Sequence, residues 1–171
     1  MLRRQVHSKW RKPLIVMTPK SLLRHPKATS SLEELADGKF EAILADANPK
    51  REGVNKVLLC SGKLYYELDQ YREENNRQDV AILRIEQFYP LRDSTVEELL
   101  GSYPESVPVV WVQDAPENMG AWRHLWARFG AKVLGKWSFS GIARRESSSP
   151  ATGSAASHKL EQRRLLEKAF A

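Results

Sequence analysis

Two carboxylates in one short turn, Asp114 and Glu117, are the first residues of this sequence whose spacing suggests chemistry. They follow an apolar run at residues 107–112, typical of a buried strand, and precede Gly120 and Trp122. Carboxylates that share a turn are able to act as general acid and general base. They are also suited to capping the next helix and binding the cations of a partner. We favour capping and partner binding over catalysis.

A second candidate is the turn formed by Ser61, Gly62 and Lys63, between a predicted strand at residues 54–60 and a predicted helix at 63–76. Free amides at a helix start, together with a lysine, suit an anion. The full GxxxxGK[ST] pattern of a P-loop does not occur. A helix cap, with a glycine that permits tight packing, is the alternative and the preferred interpretation.

Other nucleophiles and metal ligands are not indicated. The single cysteine, Cys60, ends an apolar run, and we predict a buried structural thiol because a reactive thiol needs an exposed, electropositive setting. No GxSxG elbow occurs. None of the four histidines has the spacing of a metal ligand: His7, His25, His124 and His158. We therefore predict no catalytic residue and no metal site.

The basic residues lie mainly at the two ends of the chain. Residues 1–30 carry eight Lys/Arg and no acid, residues 31–120 carry nine against eighteen acids, and residues 121–171 carry ten against three. Aromatic residues are not interleaved with these cations as in single-strand binders, so we expect no nucleic acid as partner. Arg144, Arg145 and Lys136 are predicted to form a cluster that binds an anionic effector or, as we favour, pairs with acids across an interface.

Strand and helix patterns alternate from residue 54 to the end. Strands are predicted at residues 54–60, 80–85, 107–113 and 137–142, with helices at 63–76, 94–100, 120–129 and 157–170. Before them, residues 14–17 suggest a first strand, and Ser31 with Glu34 forms a capping box. A second capping box is predicted at residues 94–97. In the helix at 120–129, Trp122 and Trp126 are four residues apart and are predicted to share one face. In the last helix, Leu160, Leu166 and Phe170 are predicted to face inward. The alternation indicates a mainly parallel sheet covered by helices on both faces. No apolar run approaches the roughly 18 residues that a membrane span needs, so no membrane partner is expected.

Six segments, in order, resemble the thiamine-diphosphate-dependent 2-oxoglutarate decarboxylase component of 2-oxoglutarate dehydrogenase. They are LRRQ (residues 2–5), TPKSLLRHP (18–26), CSGKLYY (60–66), RIEQFYP (84–90), QDAPENMGAW (113–122) and SPATG (149–153). The resemblance implies an α/β, three-layer α/β/α domain of the transketolase C-terminal type, with a mainly parallel sheet of about five strands. It further implies a basic interdomain connector at residues 1–30 and the domain proper at 31–171.

The resemblance also implies that this chain is a non-catalytic part of a longer enzyme. The family's thiamine diphosphate and magnesium bind between preceding domains, and their Gly-Asp-Gly motif does not occur here. We therefore expect this chain to bind no cofactor and to support the dimer. Expected partners are the remaining domains of the parent chain, a second parent copy and the dihydrolipoyl succinyltransferase component. The expected location is the bacterial cytoplasm, or the mitochondrial matrix in a eukaryote.

Some relatives bind a nucleotide or acetyl-CoA effector in or beside this domain, so a stand-alone effector-binding module is the alternative function. Cations inside matching motifs are the effector candidates: Arg24, Lys63 and Arg84. The interface candidates are Asp114, Glu117, Trp122 and Arg144. The sequence departs from the family at Ala115, where a second acid is common, and at Ala143, where a glycine is usual. The first departure removes a negative charge from the turn, which weakens the prediction that the turn pairs with cations.

Overall fold

The computed structural model of the chain describes residues 2–10, 12–48 and 52–171. The chain divides into two compact units, Met1–Ala36 and Asp37–Ala171. The second unit contains the alternating strands and helices, and it carries all but one of the predicted site residues.

The first unit consists of short helical segments. They are α1 (Leu2–His7), a 3-10 helix (Lys20–Arg24) and α2 (Leu32–Asp37). The predicted capping box of α2 is confirmed, because the Ser31 amide donates to Glu34 Oε2 at 2.8 Å and the Glu34 amide donates to Ser31 Oγ at 3.1 Å. The strand predicted at residues 14–17 is wrong. Residues 12–19 have no regular secondary structure, and the flanking Pro13 and Pro19 have no amide hydrogen to donate to a neighbouring strand.

The second unit is built on a six-stranded sheet. Its strands are β1 (Ile43–Leu44), β2 (Lys56–Cys60), β3 (Val80–Ile85), β4 (Val109–Pro116), β5 (Lys132–Val133) and β6 (Trp137–Arg144), in the spatial order β1-β3-β2-β4-β6-β5. The four inner strands are parallel, and the two-residue edge strands are antiparallel. The mainly parallel sheet is confirmed. The sixth strand is β5, which is too short to leave a periodic pattern in the sequence.

Helices cover both faces of this sheet, because successive strand residues point to opposite sides. The helices are α3 (Leu64–Glu74), α4 (Asp93–Leu100), α5 (Trp122–Phe129) and α6 (Ala155–Phe170). One buried cluster joins alternate strand residues such as Leu59 and Trp111 to α4 and α5. The other joins Leu58 and Val110 to α3 and α6. The three-layer α/β/α prediction is therefore confirmed.

Two local predictions about the helices are wrong. The proposed capping serine of α4, Ser94, lies inside the helix, since the N-cap is Arg92 and makes no side-chain capping bond. The Arg128 guanidinium fixes this start by an ion pair with Asp93 at 2.5 Å. Leu160 was expected to face inward but is 49% exposed. The buried face of α6 follows the helical spacing of Gln162, Leu165 and Ala169 instead.

Candidate functional site

The predicted site residues collect at one edge of the sheet. Because β2, β3, β4 and β6 are parallel, their carboxyl ends lie along the same edge, and this edge is where open α/β sheets build binding sites. Lys63 follows β2, Arg84 is near the end of β3, Asp114 lies in the last part of β4, and Arg144 ends β6. Arg24 is the exception, since it is exposed in the first unit.

Gln113 organises the segment that follows β4, which we name the Gln113 turn (residues 113–122). Its side chain is buried, and Oε1 accepts hydrogen bonds from Trp111 Nε1 and from the Trp122 backbone amide, each at 2.9 Å. Its Nε2 donates to the carbonyls of Pro116 at 2.9 Å and Met119 at 2.7 Å. Both lone pairs and both hydrogens of the amide are thus used within the turn. This residue was not predicted as important, although a glutamine that ends an apolar run was a usable signal.

Two glycines are required by the packing of this turn. Gly120 has a φ of +68°, and a Cβ there would lie 2.8 Å from Gln113 Oε1. Gly141, in β6, leaves room for the Trp122 ring, which a Cβ would meet at 2.6 Å. The Trp122 ring centroid lies 5.3 Å from that of Trp126, which confirms their predicted common face. The predicted interface residue Trp122 is therefore half-buried within its own domain.

The two carboxylates of the turn, Asp114 and Glu117, are exposed. Neither has an ion-pair partner among residues 2–10, 12–48 and 52–171. The prediction that they cap the next helix is wrong, because the N-cap of α5 is Ala121 and makes no side-chain capping bond. Gln113 Oε1 accepts from the first amide of that helix instead. The carboxylates remain free to meet a partner.

Both effector candidates in the second unit are already engaged with acids. Lys63 Nζ lies 2.5 Å from Glu67 Oε1. Arg84 Nε lies 2.8 Å from Glu86 Oε1, although the two are not aligned for a hydrogen bond. The Arg84 guanidinium also stacks 4.7 Å from the centroid of the Tyr65 ring. An incoming anion would have to displace Glu67 or Glu86, so the structure weakens the case for an effector site at these two cations.

Arg144 is the centre of a hydrogen-bonded network rather than a surface group. Its side chain is only 9% exposed, and it contacts Glu161 Oε2 at 3.3 Å and Gln162 Oε1 at 2.7 Å. Gln162 Nε2 in turn donates to Glu67 Oε2 at 2.5 Å. Because Glu67 also binds Lys63, the structure links two residues that were predicted for separate roles. The linking residues, Glu67 and Gln162, were not predicted.

Arg144 lines a cleft of about 580 Å³ between the ends of β4 and β6, the loop at residues 145–153 and α6. We name it the Arg144 cleft. Its cations are Arg144, Arg145, Arg164 and Lys168. The predicted grouping of Lys136 with Arg144 and Arg145 is wrong, because Lys136 precedes the opposite end of β6 and pairs with Glu97 at 2.6 Å.

The thiol and two of the carboxylates that are candidates for catalysis are buried or held in ion pairs. Burial raises the pKa of the Cys60 thiol to about 12, so it is a protonated structural thiol as predicted. Asp46 and Asp69 each lie 2.7 Å from the guanidinium of the buried Arg72, which binds both of them. Within the described ranges, no group of three or more His, Cys, Asp and Glu side chains is arranged to hold a metal ion. No helix in the same ranges is both long and apolar enough to cross a bilayer.

A family model described as "2-oxoglutarate dehydrogenase C-terminal" matches residues 29–170. Proteins named 2-oxoglutarate dehydrogenase E1 component are similar over nearly the whole chain. The one from Cupriavidus necator is 41% identical over 100% of this chain, and those from Haemophilus influenzae and Azotobacter vinelandii are each 42% identical over 99%. The matched segment is 18% of each relative, so the chain spans about a fifth of their length.

Among solved structures, a transketolase from Pichia stipitis in complex with a sugar phosphate covers 82% of this chain at 13% identity, with a TM-score of 0.47.

Proposed function

The chain belongs to the 2-oxoglutarate dehydrogenase C-terminal family, and we propose on this basis that it serves a thiamine-dependent 2-oxoglutarate dehydrogenase component as a non-catalytic domain. The supporting observation is the identity of about 42% to such components, maintained across 99% of the chain. The parent enzyme would decarboxylate 2-oxoglutarate and transfer the succinyl group to a lipoyl group of its succinyltransferase partner.

The positions of the carboxylates in this chain favour a structural role over a catalytic one. Asp46 and Asp69 bind Arg72, while Asp114 and Glu117 are exposed. These carboxylates do not fit a magnesium ion with a bound diphosphate, which needs several converging oxygen ligands. Thiamine diphosphate and magnesium would therefore be held by the preceding part of the parent chain, which would supply the decarboxylation chemistry.

The exposed acids of the Gln113 turn support a contact with that preceding part or with a second parent copy. Asp114 and Glu117 lie at the carboxyl edge and have no ion-pair partner among the residues described for this chain. The nearby Trp126 is 45% exposed, and aromatic side chains are enriched at protein–protein interfaces. Arg144 is a weaker interface candidate than was predicted, because its guanidinium is occupied internally. The proposal also includes a basic connector at residues 1–30 and a bacterial cytoplasmic location. It includes no nucleic acid partner.

A chimera tests this role. The matched segment of the Azotobacter vinelandii relative is replaced by this chain, and the oxidation of 2-oxoglutarate is measured. We expect activity within about tenfold of the unaltered relative, whereas the relative without its matched segment should be inactive. A second chimera that carries D114N and E117Q should lose activity or dimerisation if these acids meet a partner. A folded, cofactor-loaded but inactive first chimera would contradict the proposal.

The isolated chain provides a complementary test. We expect no thermal shift with thiamine diphosphate and magnesium, since a ligand that binds only the folded form must raise its stability. A clear stabilisation would contradict the assignment of the cofactor to the rest of the parent.

The alternative, a nucleotide or acyl-CoA effector module, is supported less well at the predicted residues. Lys63 and Arg84 both face acids at 2.5 and 2.8 Å. Calorimetric titration with AMP and acetyl-CoA tests whether the chain binds such an effector. The variants K63A and R84A show whether any binding is at these two residues. Heat that disappears in either variant would favour this alternative.

A further inference from the structure

The sheet of the second unit has two outer edges, and one of them is closed by a dedicated side chain. On the β3 side, the two-residue strand β1 pairs with Arg84 and Ile85. Beyond β1, the Ile82 amide donates to Asp46 Oδ2 at 2.7 Å. The Asp46 side chain is only 4% exposed, because it is held against Arg72. The donors of this edge are therefore used within the domain.

The opposite edge, formed by β6, is open along most of its length. β5 pairs with the first two residues of β6, and the Phe139 amide donates to the Ala131 carbonyl at 2.8 Å. Backbone groups of alternate strand residues point to the same side, so Gly141 and Ala143 direct theirs outward, away from β4. In the part of the chain that the structure describes, no strand or loop forms a backbone hydrogen bond with these outward groups.

This open stretch lacks two features that commonly protect a sheet edge. Lys and Pro on an edge strand prevent it from pairing with another chain, but residues 137–143 contain neither. Ser140 and Gly141 are exposed, and their small size permits the close approach of a neighbouring strand. An edge of this kind is suited to receive an extended segment, whose main chain then continues the hydrogen bonding of the sheet.

The charge around this edge indicates the chemistry of the added segment. Residues 131–145, which form β5, β6 and their connection, carry four Lys/Arg and no acid. Two of the four, Lys132 and Arg145, flank the open stretch and are exposed. At the end of β6, Arg145 also lines the Arg144 cleft, together with the exposed Arg164 and Lys168. None of these four cations has an ion-pair partner among the described residues. A segment that carries acids is therefore favoured over a basic one.

We propose that the open edge of β6 receives an extended acidic segment of a partner protein as an additional strand. The outward amides and carbonyls of Gly141 and Ala143 bind the backbone of that segment. Lys132 and the exposed cations of the Arg144 cleft bind its carboxylates. This inference goes beyond the proposed function and does not depend on it.

A synthetic peptide of alternating glutamate and valine tests the proposal, with the eight-residue length of β6. Calorimetry and amide hydrogen exchange of the full chain are measured at about 50 mM salt, where surface charges are only partly screened. We expect a submillimolar Kd and slower exchange of the amides of residues 140–144. A peptide of alternating lysine and valine is the control, and it should neither bind nor slow this exchange.

Three variants examine the edge itself. S140E and S140K place opposite charges at the same exposed position. S140E should weaken binding about tenfold, because like charges on adjacent strands repel, whereas S140K should not weaken it. A143P removes an outward donor. Proline is tolerated where an edge amide faces solvent, so this variant should fold and lose most of its affinity.

A matched pair of variants examines the cleft cations. R164Q/K168Q should weaken binding of the acidic peptide about threefold, since exposed ion pairs contribute little each. K159Q/R163Q removes two cations from the same helix outside the cleft and should leave Kd unchanged.

Three results would overturn the proposal. The first is an absence of heat at millimolar concentrations of the acidic peptide. The second is binding without slower exchange at residues 140–144, which would assign the acids to the cleft cations alone. The third is slower exchange of these amides in the chain alone as its concentration rises, which would assign the edge to a second copy. None of these results is affected by the outcome of the chimera assay, so failure here and failure of the proposed function are distinguishable.

Discussion

The buried amide of the Gln113 turn and the exposed cations of the Arg144 cleft lie at the same edge of one sheet, yet these polar groups are satisfied in opposite ways. In the turn, the amide of one buried glutamine binds two donors and two acceptors of its own chain. In the cleft, three exposed cations lack an ion-pair partner among the residues described. A site whose polar groups are satisfied internally stabilises the fold, whereas unsatisfied charge in a concave surface is available to a ligand.

This contrast reverses the ranking that the sequence suggested. The sequence drew attention first to the turn with two carboxylates, and it assigned no chemistry to the serine-rich loop before α6. In the structure the turn is a packing element, and the loop forms a wall of the cleft. Substitution of Gln113, or of a glycine packed against the turn, should therefore reduce stability, while substitutions of the cleft cations should affect binding.

The largest effect is expected for Q113A. Removing this amide leaves the Trp111 indole nitrogen and three backbone groups without their partner, and each buried unsatisfied group costs about 1–3 kcal/mol. We expect a loss of about 3 kcal/mol in the free energy of unfolding, measured by urea titration of tryptophan fluorescence. The adjacent exposed variant D114N is the control and should stay within about 0.5 kcal/mol. Equal effects in both variants would show that the turn is not organised by Gln113.

G141A should have the next largest effect. The added Cβ would lie 2.6 Å from the Trp122 ring, so the ring or the strand must shift. Overpacking of this kind costs about 1–3 kcal/mol, and we expect about 2 kcal/mol. G153A, where a Cβ meets nothing within 4 Å, is the matched control. A G141A protein as stable as the control would mean that the Trp122 ring is not fixed against β6.

Acid titration distinguishes the uncharged contacts of Gln113 from an ion pair elsewhere in the domain, that of Arg77 with Asp79. The Arg77 guanidinium, through two hydrogen bonds at 2.8 and 2.9 Å, lowers the pKa of Asp79 to about 2. Because the pKa is lower in the folded state, this contribution is complete above about pH 4 and is lost as the pH falls through about 2. D79N should cost about 1 kcal/mol at pH 6, since the pair is partly solvent-screened, and far less at pH 2.

The cost of Q113A, in contrast, should persist across the same pH range, because the partners of its side chain are an indole nitrogen and backbone groups. Urea unfolding at about pH 6, 4 and 2 measures both. A cost of D79N that does not shrink with acid would rule out the ionised Asp79 as its source.

The smallest effect, and one of opposite sign, is expected in the cleft. R164Q/K168Q removes a like-charge pair on α6 and should raise the free energy of unfolding by a few tenths of a kcal/mol. K159Q/R163Q removes a like-charge pair at the same spacing and also the ion pair of Arg163 with Glu167, so these two effects should nearly cancel. Thermal unfolding of the two variants side by side measures the difference. A cleft variant that is markedly destabilised would mean that these cations stabilise the fold.

The sequence by itself determined the layered fold. The continuous apolar runs of β2 and β3 place Leu58 and Ile82 on one face of the sheet and Leu59 and Leu83 on the other. These patterns are local, and the period of a strand or helix fixes which side chains share a face. The capping box at Ser31 was predictable for the same reason, since its partners are three residues apart. The ordered motifs likewise identified the family.

Only the tertiary structure decided which charged groups are available. Glu67 and Gln162 are 95 residues apart, yet their contact joins Lys63 to the Arg144 network. The same folding pairs Arg84 with Glu86 and leaves Arg164 without an ion-pair partner among the described residues. A cation's identity and spacing show that it is able to bind an anion. Whether it is free to do so depends on which distant carboxylate the fold brings within about 4 Å of it.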